Sequence, residues 1–165
     1  MKESASTERR GAATVSVFVP GIPKPGGSKR AFINQKTGRA IVTEDCKGSK
    51  DWRTAVRFAA AEVFASPLFG PLEVAFRFYM PRPRGHYGSG RNAGLVRESA
   101  PKFPAFRPDV TKLVRSTEDA LKGVAWLDDS QIVRQAASKD YSEKLGAQIE
   151  VTALRGERPT LLGGT

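Results

Sequence analysis

Hydrophobic and polar residues change period several times along this 165-residue chain, and each change marks an element. Thr14–Val19 alternates and is β-branched, which predicts a strand. Pro20-Gly21-Ile22-Pro23-Lys24-Pro25-Gly26-Gly27 is a loop that cannot join a central strand. Lys29–Ile33 and Ala40–Thr43 flank a polar turn containing Gly38 and read as a hairpin. From Ser49 to Ala65 the spacing becomes helical. Trp52, Ala55, Val56, Ala59, Ala60, Val63 and Phe64 form one apolar face, with Arg53 and Arg57 on the other side, Ser49 as N-cap and Pro67 past the end. Leu72–Tyr79 is a strand with Val74, Phe76 and Phe78 on one face. Thr111–Lys122 is a second helix that turns Leu113, Thr117, Ala120 and Leu121 inward and ends at Gly123. Strands at Ile132–Ser138 and Leu145–Ala153 follow, joined by a polar turn at Lys139–Lys144.

This order predicts an α+β domain: a mixed sheet with two helices packed on one face. The expected domain spans 13–155, between polar, disordered tails at 1–12 and 156–165. One stretch breaks the pattern. Residues 81–107 are rich in Pro, Gly and Arg, and a loop of that length inside a compact domain points to function. It reads as a mobile loop that touches nucleic acid, His86 included; a linker between two domains is the alternative, but neither side is long enough for its own core.

Charge sharpens this picture. The formal net charge is +10. Residues 24–57 carry nine Lys or Arg against three acids, and residues 77–115 nine against two. From 116 onward acids outnumber bases, eight to six. Two basic blocks beside an acidic one fit a polyanion-binding face with carboxylates set into it. No run approaches the ~18 apolar residues of a membrane span, and no basic amphipathic helix offers a large apolar face to a membrane surface. The N-terminus lacks an apolar signal core, so a cytoplasmic protein is expected, in a bacterial or phage-infected host cell. The single cysteine, Cys46, leaves no intrachain disulfide and no thiolate set for zinc.

Carboxylates in so basic a chain need a reason. Asp109 stands just before the second helix. Asp128 and Asp129 lie between that helix and the next strand. If the strand runs back beside the helix N-terminus, Asp109 and one Asp of the pair converge on a divalent metal held against a phosphodiester. Neighbouring extended residues point to opposite sides, which leaves one of Asp128 and Asp129 as a direct ligand. Lys112 and Arg115 stand ready for the phosphate. Each feature alone has a plainer reading: Asp109 as a helix cap, Asp128-Asp129 as a turn, Asp119 after Arg115 and Glu118 before Lys122 as surface pairs. Other chemistries fit worse. The sole histidine, His86, excludes two-histidine acid–base catalysis. No Glu/Asp-x-Lys triplet follows Pro108-Asp109, as a restriction-type nuclease would need. No Gly-Lys-Ser/Thr phosphate loop is present, so no nucleotide cofactor is expected.

Taken as a set, Arg107-Pro108-Asp109-Val110-Thr111-Lys112-Leu113, then Asp119-Ala120-Leu121, then Gly123-Val124-Ala125-Trp126-Leu127-Asp128-Asp129-Ser130-Gln131-Ile132-Val133 resembles the RusA family of Holliday junction resolvases, small enzymes often carried by phages and prophages. Pro20-Gly21-Ile22-Pro23 with Gly27-Ser28-Lys29-Arg30 is similar to phage-type members, and the likeness extends to about residue 153. The resemblance implies a homodimer that binds branched, four-way DNA and makes paired, symmetric nicks in recombination and repair. It implies Mg²⁺, with Mn²⁺ as a substitute. By position, Asp109 and Asp129 match family metal-binding acids with Asp128 beside them, and Arg115 falls where the family commonly has a functional Lys. Lys24, Lys29, Arg30, Arg82, Arg84, Arg91 and Arg107 would hold the DNA backbone. The chain departs from the family at Thr111, where a second carboxylate is common, and at Arg115, which gives up a proton less readily than Lys. Lys112 is then the candidate for the Lys role. The rival expectation is a non-catalytic dimer that shapes branched DNA; a basic RNA-binding module is a third, without the aromatic strand signature of single-strand readers.

Overall fold

The structure, a computed structural model, describes residues 13–26, 29–33, 35–44 and 48–154. The expected disordered tails, Gly27-Ser28 and Cys46 lie outside the described residues, as do the side chains of Lys29 and Arg30. Six strands and two α-helices follow in the order β1 (Thr14–Pro20), β2 (Lys29–Ile33), β3 (Ala40–Glu44), α1 (Ser49–Val63), β4 (Leu72–Met80), α2 (Val110–Leu121), β5 (Ile132–Tyr141) and β6 (Gly146–Ala153).

The main sheet has the order β1-β6-β4-β5, and β2 pairs with β3 in a separate hairpin. β6 is antiparallel to both β1 and β4, while β4 and β5 run parallel. The sheet is therefore mixed, and the fold is a single α+β domain as expected. In β4 the alternation is clean: Val74, Phe76 and Phe78 are buried and the residues between them are not. They meet Val17 and Val19 of β1, Ile149 and Val151 of β6, Trp52, Val56 and Ala60 of α1, and Leu113, Ala120 and Leu121 of α2 in one core. A strand with one buried face and helices with one apolar stripe can satisfy each other only in this layered way. Trp52 Nε1 donates to Thr117 Oγ1 at 3.3 Å across the α1–α2 contact, and Thr117 Oγ1 donates to Leu113 O at 2.9 Å. Among the described residues, no helix is long and apolar enough to cross a membrane.

Several boundaries differ from the expected ones. Ser49 is not the cap of α1: it is buried inside the helix, and Gly48, with φ 86°, takes the N-cap position. A left-handed backbone there suits glycine, which pays no Cβ penalty. Val63 is exposed, because α1 ends on it and the apolar stripe closes on Phe64. β5 runs on through Tyr141 instead of stopping at Ser138, since Lys139, Asp140 and Tyr141 pair with Phe78, Tyr79 and Met80. The expected polar turn at Lys139–Lys144 is shortened accordingly.

The stretch 81–107 is not featureless. It carries 3-10 turns at Arg84–His86 and Gly90–Asn92 and a bridge between Tyr87 and Val96. Tyr141, at the end of β5, anchors it. Arg82 lies over the Tyr141 ring at 4.1 Å and donates to Pro101 O at 2.9 Å. The His86 ring meets Tyr141 edge-on at 5.6 Å.

Candidate active site

The N-terminus of α2 opens into a groove of about 340 Å³ lined by Ile22, Lys24, Met80, Arg107, Asp109 and Lys112 among others. Three segments build it. The loop after β1 lies on α2, with Gly26 N donating to Lys112 O at 3.1 Å. Met80 ends β4. The chain entering α2 is held by Lys139 of β5, whose Nζ donates to Phe106 O and, at 2.9 Å, to Pro108 O.

Asp109 occupies the N-cap position of α2 in extended backbone, and its carbonyl accepts from Lys112 N and Leu113 N. Its carboxylate does no capping. The plain reading of Asp109 as a side-chain cap therefore fails. The carboxylate is 59% exposed, with Lys112 Nζ 3.8 Å away. A free carboxylate beside a Lys, an Arg and the unpaired N–H groups of a helix start is suited to a cation bridged to a phosphate.

Asp128 and Asp129 sit at the other end of α2. Lys122, the C-cap residue, places Nζ 2.8 Å from Asp128 and 3.8 Å from Asp129. Asp128 also accepts from Ser130 N at 3.0 Å. The Lys122 hydrogen bond, followed by that of Ser130, holds its carboxyl well below the usual carboxylate range, and the same contact raises Lys122. Asp129 accepts from Trp126 Nε1 at 2.8 Å. Gln131 stitches this turn together. Its Oε1 accepts from Leu127 N and Asp128 N, and its Nε2 donates to Leu68 O and Gly70 O.

The expected convergence of Asp109 with Asp128 or Asp129 does not occur within one chain. β5 starts at the C-terminal end of α2 and runs back along it, so the acids stand at opposite ends of a 12-residue helix. At ~1.5 Å per residue that is about 18 Å. Among the described residues, no three His, Cys, Asp or Glu side chains group closely enough to hold a metal ion. Arg115 is exposed, part of the polar stripe between the two ends. Asp119 faces another groove, of about 740 Å³, with Lys50, Arg53, Arg57 and Phe58 of α1.

Of the expected DNA contacts, Lys24 and Arg107 line the first groove, and Arg84 and Arg91 are exposed on the 81–107 stretch. Arg82 is engaged with Tyr141 instead. Sequence reasoning missed Lys139 and Glu118. Glu118 does not pair with Lys122: Lys122 turns to Asp128, and Glu118 accepts from Gln135. Half-burial raises its pKa, against that hydrogen bond, and nearby Asp129 and Asp119 add to the rise. Its half-inward position on α2, beside Thr117, was the available signal.

The family model described as endodeoxyribonuclease RusA matches residues 20–152 of the chain. The uncharacterized protein YqaN of Bacillus subtilis (strain 168) is 29% identical over 141 residues, which cover 83% of this chain and 94% of that protein. The match takes in both acid-bearing ends of α2 and the loop laid across its first turn.

Proposed function

This chain belongs to the RusA endodeoxyribonuclease family, and from that premise we propose that it is a Mg²⁺-dependent endonuclease that nicks four-way DNA junctions symmetrically, in recombination and repair. The observation behind this reading is the uncapped carboxylate of Asp109 at the mouth of a basic groove. Carboxylate oxygens are natural ligands of Mg²⁺, which binds through one or two carboxylates and substrate phosphate while keeping several waters. Asp109 fits that role, and so does Asp129, whose second oxygen is not used by Trp126. Thr111 in place of a further carboxylate leaves room for water. Bound there, Mg²⁺ would supply an activated water and relieve charge on the phosphate; Mn²⁺ would substitute.

The protein's own groups do the rest. Lys112 and Arg107 offset charge that builds on the scissile phosphate. Lys24, Arg84 and Arg91 hold the backbone without reading sequence. Lys139 fixes the entry to α2 by holding Phe106 and Pro108 carbonyls, and so fixes where Asp109 stands. Arg115 remains charged and serves phosphate binding. Asp128 orients the turn through Lys122 and Ser130 and is the less available of its pair. A junction with two-fold symmetry calls for a homodimer with two sites.

The experiment uses an end-labelled synthetic four-way junction and a matched linear duplex, each with Mg²⁺, Mn²⁺ or EDTA. Paired nicks in the junction alone, absent in EDTA, are expected. Tight junction binding without nicks in either metal would replace this reading with the architectural one.

A further inference from the structure

The separation of the two acidic ends of α2 has a geometric resolution, which rests on the endonuclease reading above. β5 is an edge strand of ten residues, and among the described residues its only ladder partner is β4. Val133–Ser138 are all exposed, including Val133, Ala136 and Ala137. A long, open edge is a template for another strand. The same strand joins the two halves of the site, for it starts just past Asp129 and ends beside the loop that delivers Asp109.

We propose that β5 pairs antiparallel with β5 of a second copy, and that each active site combines Asp109 of one chain with Asp129 of the other. Antiparallel pairing of identical strands puts a two-fold axis perpendicular to the sheet. Both α2 helices then stay on one face, side by side and antiparallel, and the N-terminus of each meets the C-terminus of the other. Charge selects the register. Pairing centred on Ala137 sets Arg134, which is 67% exposed, opposite Asp140 of the second copy. Moving the centre midway between Ala136 and Ala137 sets Arg134 opposite Lys139, a like-charge pair that costs stability. In the first register Ile132 of the second copy lies opposite Ser142. Its Asp129, one short turn earlier, reaches the level of Met80 and Tyr141, where the Asp109 groove opens.

The test mixes two inactive chains. Asp109→Asn and Asp129→Asn carry different tags, are co-expressed, and the hybrid dimer is isolated through both tags. In the hybrid one site has lost both acids and the other has lost none. It should nick one strand of the junction at about half the wild-type rate per dimer, while each parent stays inert. A hybrid as inert as its parents overturns the shared site. A second readout needs no cleavage. Ala137→Cys in a Cys46→Ser background should cross-link two copies through a short bis-maleimide, and Ala137→Glu should convert the dimer to monomer without lowering the melting temperature. A dimer that neither cross-links at 137 nor dissociates with Ala137→Glu overturns the β5 interface. If the wild-type protein does not nick junctions at all, the endonuclease reading falls, and the cross-link still decides the interface.

Discussion

The indole N–H of fully buried Trp126 donates to Asp129 Oδ1 at 2.8 Å. An acid expected at the metal is thus tied to the core by one hydrogen bond. Trp126→Phe keeps most of the packing and removes the donor. It should cost about 1–3 kcal/mol of stability and lower cleavage by about 10–100-fold, the usual effect of losing a partner that orients a metal ligand. Urea unfolding beside single-turnover cleavage separates the two; equal activity in the folded fraction would deny Asp129 its role.

Gln131 makes four hydrogen bonds through one amide and ties the Asp128-Asp129 turn to the Leu68–Gly70 segment. Gln131→Ala leaves backbone groups on both sides without it and should cost about 1–3 kcal/mol. Gln131→Glu keeps the accepting oxygen and loses both donors, so its loss should be intermediate at neutral pH. Thermal melts of the three proteins test the order.

Thr117 is buried and takes the Trp52 indole hydrogen bond. Thr117→Val preserves shape and strands that donor, at a cost of about 1–3 kcal/mol, whereas Thr117→Ser should hold most of the stability. Cleavage by the folded fraction should not change, because Thr117 lies on the inner face of α2.

Two carboxylates bend the acid response in opposite directions. Asp128 is lowered by Lys122, so its contribution is present above its ordinary value of 3.8 and lost as pH falls toward its lower folded value. Glu118 is raised, chiefly by burial, so the folded state favours its proton, and that contribution is lost as pH climbs above 4.5 through its folded value. Asp128→Asn should flatten the acid limb of a stability–pH curve. Glu118→Gln should raise the urea midpoint at neutral pH. A drop there would show that Glu118 is needed ionised.

Lys112 and Arg107 flank the groove, and neither reads a base in the proposed arrangement. Lys112→Ala and Arg107→Ala should each weaken junction binding evenly across sequences and reduce the log–log salt slope by about one. Fluorescence anisotropy over a salt series measures it. Asp109→Asn should keep binding and lose cleavage.

Where one physical period dominates, the chain is readable in advance. β4 has one buried face, and α2 packs Leu113, Thr117, Ala120 and Leu121 in helical steps. β5 was harder to delimit because exposure on both faces erases alternation, and its length is set by pairing with β4 and by the loop anchored on Tyr141. The start of α1 was misjudged because Ser is the commoner cap, while the turn here needs the left-handed backbone of Gly48. The acids were recognisable from their motif, but their spacing was not. Whether β5 returns to the start of α2 or departs from its end depends on the ten residues 122–131, and those fold into a turn at the helix C-terminus.

The parallel pairing of β4 with β5 has a kinetic consequence. Leu72 pairs with Ile132, sixty residues away, and the intervening chain contains both α2 and the whole 81–107 stretch. Contacts so distant along the chain are slow to close. The groove at Asp109 borrows Met80 from one of these strands and depends on Lys139 from the other, so it matures only when that crossover is complete. A nascent or partly folded chain carries the acids and the basic blocks but not their arrangement, and cutting competence arrives with the last strand.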